Sequence, residues 1–421
     1  MIARSSQNSL VRNLPGRIVH RLSRYMEHRG FRALILLLVL SPLSNDRAVA
    51  RSSQVAEELS QLTKDLAANL VQIQREDGFP GATLGFVLPD GHVGSTAVGL
   101  ADKERNIPMR PGDRMLSGSI GKTYVAALAL RLAEEGRASL DTRISQWLGK
   151  ESWFHHLPNG DSITLRMLLN HSSGLRNHVN DERFVARARK NPDAFWAHEE
   201  LVEYDLYKPP LFPVGKGFAY ADTNYILVGL IVEKITGKSY YSELAEEILN
   251  PLELSSTSPS DRRVIPGLVN AYTDPQNEFG LPAKVCVSEK DALNPQIEWT
   301  GGGLVSTAPD LARWAWLLLG GHVLKNASLR QMLTGIPAAS EGGQYGLGMA
   351  IRDTELGPAY GHDGEFPGFL SVMAYFPRYQ IAVAVQLNTD DDQRFKIRLA
   401  DMAIRLAKVM VTETRETHSL K

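Results

Sequence analysis

Residues 114–132 read RMLSGSIGKTYVAALALRL, and two chemistries compete for them. A phosphate-binding loop needs G-x-x-x-x-G-K-[ST], because several backbone N–H groups must wrap the phosphates. With Gly121 and Lys122 as its last pair, the first glycine falls at position 116, which is Leu116. Two residues between Gly118 and Gly121 cannot close that cradle. The alternative is a serine nucleophile with its lysine. Ser119 and Lys122 are three apart and lead an alanine-rich apolar run that stops at Gly136. The run predicts a helix, which puts both side chains on one face with Ser119 at the N-terminus. The helix dipole and burial both disfavour a protonated lysine there, and a neutral amine can take the serine proton. A solvated lysine and a capping serine are the plain alternative.

The chain has 421 residues, a formal net charge of −1 and 43% hydrophobic residues. That supports one or two sizeable cores and argues against nucleic acid as a partner. Residues 20–32 are basic, 33–40 read ALILLLVL, and 41–50 end in Ala48-Val49-Ala50. This order predicts a secretory signal over 1–50 with cleavage after Ala50. The apolar run is too short to span a bilayer, so no stable span is expected after cleavage. Cys286 is the sole cysteine. Export without disulfides points to a bacterial periplasmic or secreted protein, and away from ATP chemistry.

Along the mature chain, residues 54–76 carry apolar positions at helical spacing. The stretch 79–102 reads as two strands turning at Pro89-Asp90-Gly91. Thr307 is placed to cap a helix, and 368–377 and 380–388 read as paired strands before a closing amphipathic helix. Strands at both ends with a helical middle predict an α/β, more narrowly α+β, fold. One antiparallel sheet is formed from both chain ends and flanked by helices, with a mainly helical subdomain inserted over about 140–295. Asp141 reads as a cap and NTDDDQ (388–393) as a solvated turn; no histidine spacing suggests a metal, and no cofactor is expected.

Further stretches occur in a telling order: PGATLGFVLPDG (80–91), LSGSIGKTY (116–124), ITLRMLLNHSSGL (163–175), FAYADTNYILVGLIVEKITG (218–237), NPLELSST (250–257), GGGLVSTAPDLARW (301–314), YGLGM (345–349) and GHDGEFPGF (361–369). The series resembles the serine β-lactamase and penicillin-recognising DD-peptidase superfamily, in the branch of class C β-lactamases, D-Ala-D-Ala carboxypeptidases and related esterases. The resemblance covers residues 79–395 and implies a β-lactamase/transpeptidase-like domain over 51–421. It implies that Ser119 is acylated, that Lys122 shares its proton, and that Tyr220 shuttles protons as a phenolate stabilised by nearby cations. His362 and Gly364 match the third box, H-x-G where other members have K-T-G, beside the substrate. The backbone N–H groups of Ser119 and Glu365 would form the oxyanion hole. The tyrosine box departs from the usual Tyr-x-Asn: it is Tyr220-Ala221-Asp222. An ionised Asp222 only accepts hydrogen bonds. It either repels a substrate carbonyl or pairs with Lys122, holding it charged and leaving Tyr220 as the sole base. The expected activity is an exported serine hydrolase working through an acyl-enzyme on D-Ala-D-Ala-type peptides, related amides or β-lactams, with peptidoglycan fragments among its partners. The alternatives are a small-ester hydrolase and a non-catalytic binding module in which Asp222 marks lost turnover.

Overall fold

A computed structural model of the protein describes residues 42–393 and 395–419. The basic and apolar leader therefore lies outside the described residues, apart from 42–50, which open the helix Pro42–Asp77. This helix starts earlier than the apolar spacing from residue 54 suggests. No described helix is long and apolar enough to cross a membrane.

Among the described residues the main sheet has nine antiparallel strands. Their order is Ile336–Ala338, Gly343–Tyr345, Ala350–Thr354, Gly357–Phe366, Phe369–Phe376, Ile381–Leu387, Gly81–Val87, Val93–Asp102 and Ile107–Pro108. The two ends of the chain meet where Gly81–Val87 pairs with Ile381–Leu387, with Leu84 opposite Val385. The hairpin over 81–102 forms as its turn residues predict. Every residue of Gly81–Val87, Phe369–Phe376 and Ile381–Leu387 is buried. A strand buried on both faces is apolar along most of its length, here apart from Thr83, Ser371 and Gln386, because each face has its own cover. Val383 and Val385 pack with Leu66, Leu70, Met402 and Leu406 of the first and last helices. Ala382 and Ala384 point the other way, towards the helices Gly121–Glu134 and Ala308–Leu319. The period-two alternation thus divides one strand between two cores.

The helix Gly121–Glu134 buries nearly every side chain it carries. Tyr124 stacks on Trp314, ring centroids 4.1 Å apart, and the Trp314 indole N–H donates to Thr123 Oγ1 at 2.8 Å. Thr307 caps the Trp314 helix, its side chain accepting from the Asp310 N–H. The middle of the chain holds short helices, with Asp222–Thr236 the longest there, and also a three-stranded sheet of Ala271–Tyr272, Lys284–Val287 and Lys290–Asp291. Two local expectations are corrected. Asp141 caps no helix; its carboxylate binds the Arg166 guanidinium at 2.7 and 3.1 Å. The 388–393 turn is not merely solvated: Asp390 accepts from the Thr273 hydroxyl and from the backbone N–H groups of Asp274 and Gly368, tying three loops together.

Candidate active site

Ser119 sits in a 3₁₀ turn, Gly118–Ile120, immediately before the buried helix rather than in its first turn. The strand Gly357–Phe366 presses against this turn. A Cβ on Gly364 would lie 2.0 Å from the Ser117 carbonyl oxygen and 3.2 Å from the Ser119 nitrogen. Gly118 adopts φ +51°, and a Cβ there would lie 2.4 Å from the Glu365 nitrogen. Glycine at both positions lets the two backbones approach. The backbone nitrogens of Ser119 and Glu365 are thereby brought to the same place.

Lys122 is fully buried. Its Nζ donates to Ser119 Oγ at 2.9 Å and to the Gly301 carbonyl, and it forms an ion pair with Asp222. Three acceptors match the three N–H donors of an ammonium. Gly301 reaches the lysine from the glycine run before the Trp314 helix, a contact with no signal in the sequence. Asp222 opens the helix Asp222–Thr236, and Asn177 Oδ1 accepts its backbone N–H at 2.9 Å.

Tyr220 stands beside this pair, with Lys122 Nζ 4.8 Å from its ring centroid. Its hydroxyl oxygen is buried and lies outside hydrogen-bond geometry with any partner. Burial, and then the Asp222 carboxylate, push its pKa well above that of an ordinary tyrosine; the neighbouring Ser119 hydroxyl acts the other way. This direction runs against the expected phenolate. His171, treated as a structural residue from its sequence, clamps the tyrosine. It adopts φ +58°, its carbonyl accepts from the Ala219 N–H at 3.0 Å and its Nδ1 from the Ala221 N–H at 3.2 Å. Its ring lies 4.4 Å from that of Tyr220.

His362 is held as a neutral ring. Only 2% of it is exposed, and Nδ1 meets the Asp363 carbonyl at 2.5 Å while Nε2 meets Tyr345 Oη at 2.9 Å. Nδ1–H donates to the carbonyl and the Tyr345 hydroxyl donates to Nε2, an arrangement for neutral imidazole. Burial, and then the Lys122 charge, lower its pKa to about 3. An unfolded histidine titrates near 6.5. The stability gained by keeping the ring neutral is thus present above that value and is lost as pH falls towards 3. From pH 7 to pH 5 this one group should remove about 2 kcal/mol. Urea unfolding at both pH values should show that much less loss for His362→Asn than for the unaltered protein; equal losses would contradict the neutral assignment.

In front of Ser119 and Asp222 opens a cavity of about 540 Å³, lined also by His178, Phe184, Phe279, Glu298 and Glu365. Among the described residues no group of histidine, cysteine and acidic side chains is arranged to hold a metal.

With this geometry in place, comparison with known proteins is decisive at family level. The Beta-lactamase family model matches residues 63–407. The chain belongs to the Beta-lactamase family. It is 28% identical over 334 residues to penicillin-binding protein 4 of Amycolatopsis lactamdurans, covering 75% of this chain and 82% of that one. Among solved structures, a D-stereospecific amidohydrolase from Streptomyces sp. superposes with a TM-score of 0.66 at 28% identity, over 80% of this chain and 96% of that one. The D-amino acid amidase of Ochrobactrum anthropi SV3, crystallised with L-phenylalanine amide, shares the fold: TM-score 0.71 and 22% identity, over 86% and 99% of the two chains. The α+β architecture is that of these Beta-lactamase family neighbours, whose members include amidases. Of the residues singled out from sequence, Ser119, Lys122, Tyr220 and Asp222 converge, with Gly364 and Glu365 against the serine turn. His362 bonds to Tyr345, and its ring centroid lies 6.2 Å from that of Tyr220; it does not line the cavity.

Proposed function

We propose that the protein is a serine hydrolase that forms an acyl-enzyme on Ser119 and cleaves amides, including amides and short peptides of D-amino acids. The observation that carries this reading is the buried Lys122 ammonium, donating to Ser119 Oγ at 2.9 Å while held by Asp222. Lys122 gives one proton to Asp222, and as Ser119 Oγ attacks the substrate carbonyl carbon its proton passes to the resulting neutral amine. The oxyanion accepts from the backbone N–H groups of Ser119 and Glu365. Tyr220 protonates the leaving nitrogen as the C–N bond breaks, and is reprotonated from the Lys122–Asp222 pair. Water then reverses these steps to release the acid and regenerate Ser119. A protonated Tyr220 suits this role, because an amide nitrogen must gain a proton to leave.

The neutral His362 bears on the substrate. Where K-T-G members carry a lysine, this chain has an uncharged ring bonded to Tyr345. At that position the chain offers no lysine for the terminal carboxylate of a D-Ala-D-Ala peptide or a penicillin. This favours amides over both, in keeping with the D-stereospecific amidohydrolase from Streptomyces sp. to which the chain is similar. Export by the 1–50 leader belongs to the same proposal.

The test uses two leaving groups. Tyr220→Phe should lower ammonia release from D-alaninamide by about 10²-fold or more, while p-nitrophenyl acetate, whose leaving phenolate needs no proton, falls less than about tenfold. Equal losses on both would remove Tyr220 from the proton path.

A further inference from the structure

The wall of the cavity is charged in one sense. Besides Asp222 it carries Glu298, Glu278, Glu365, Asp274, Asp390 and Asp392, and among its described residues it has no lysine or arginine. Three of these acids are already occupied: Asp222 by Lys122, Asp390 by the loops it ties, and Asp274 by the Gln276 N–H and the Gln393 amide. Glu278, Glu298, Glu365 and Asp392 form no ion pair with any described residue. Glu278, Glu365 and Asp392 are exposed at the rim. Burial, and then the charges of Asp392, Asp390 and Glu278, push the Glu365 carboxyl up, so these groups repel one another across the opening.

A second observation points to a ligand. His178 lines the same cavity and is 2% exposed. Its Nδ1 is bonded to Thr223 Oγ1 at 3.1 Å, and its Nε2 is buried with no partner. The ring is neutral, its pKa lowered by burial to about 4. Whichever ring nitrogen carries the proton, Nε2 is an unpartnered polar atom of a residue in the cavity wall. Glu298 Oε2 is likewise buried and unpartnered, and burial, then the Asp222 charge, push its carboxyl well above the usual carboxylate range. An unpartnered buried ring nitrogen beneath rim carboxylates that pair with no described cation suits a polar ligand that is positively charged.

We infer that the cavity in front of Ser119 takes an acyl group bearing an organic cation, and so selects amino-acyl substrates with a free ammonium over neutral or anionic ones. This rests on the acyl-enzyme reading and adds the substrate class. The cation is either the α-ammonium of the scissile residue or a basic side chain, and the two are separable by substrate.

Kd values are measured on the Ser119→Ala variant by titration calorimetry, with D-alaninamide, N-acetyl-D-lysinamide, N-acetyl-D-alaninamide and N-succinyl-D-alaninamide. At least one of the first two should bind about tenfold tighter than the neutral compound, and the anionic one more weakly still. Preference for D-alaninamide places the cation on the α-nitrogen; preference for the lysine compound places it on the side chain. The advantage should shrink in 0.5 M NaCl and fall below about threefold when the rim is neutralised by Glu278→Gln, Glu365→Gln and Asp392→Asn together. Equal binding of all four, or tighter binding of the succinyl compound, overturns the inference. Labelling of the unaltered protein by an uncharged fluorophosphonate is read in parallel. Labelled Ser119 with no charge preference fells the inference alone, whereas a charge preference without labelling fells the nucleophile assignment and leaves the cation pocket standing.

Discussion

Ser119→Ala is expected to lower amide turnover by about 10⁴-fold or more while the protein stays folded. Removing Oγ deletes the atom that would bond to the acyl carbon and leaves only binding and the two backbone N–H groups. Ser119 is half-buried and its hydroxyl fills no core, so the thermal midpoint should move by a degree or two. The Lys122 ammonium loses one of its three acceptors but keeps Gly301 and Asp222. Turnover within tenfold of the unaltered protein, from a folded variant, would contradict the mechanism.

Lys122→Met should strike stability and activity together. The lysine is fully buried and Asp222 is 22% exposed, so deleting the cation strands a carboxylate beside an apolar side chain. Breaking such a pair from one side should cost about 3 kcal/mol. Turnover should fall by about 10³-fold or more, since Ser119 loses its proton acceptor. Adding Asp222→Asn to Lys122→Met removes the stranded charge. The double variant should recover most of the stability and none of the activity. Additive destabilisation in a double-mutant cycle would mean that the pair is not coupled; restored turnover would mean that the lysine is not in the proton path.

How much of this was readable in the chain differs by residue. The Ser119–Lys122 spacing states a local geometry, and the ordered series of stretches supplied Tyr220 and the 361–369 strand. The sheet was legible because its central strands are largely apolar runs with a clear turn at Pro89-Asp90-Gly91. Asp222 stood out in sequence as a departure, but both of its readings remained open until the fold brought its carboxylate to Lys122. The charge states were not legible. His362 is neutral and the Tyr220 pKa raised because of burial, and burial comes from elements far away in sequence. Gly301, Asn177 and Glu298 carried no signal, since each matters only through a long-range contact. Asp141 failed in the opposite direction: a local capping pattern lost to Arg166, 25 residues further on. His171 belongs between these cases. Its motif was noticed, but its hold on Tyr220 depends on a left-handed backbone and a ring nitrogen that accepts from Ala221.

The central claim is that Ser119 is an activated nucleophile. Intact-mass spectrometry of residues 51–421 after exposure to a fluorophosphonate, followed by peptide mapping and with Ser119→Ala alongside, addresses it directly. One adduct is expected on the unaltered protein, mapped to Ser119, and none on the variant. An unmodified protein, or an adduct that persists when Ser119 is alanine, would contradict it.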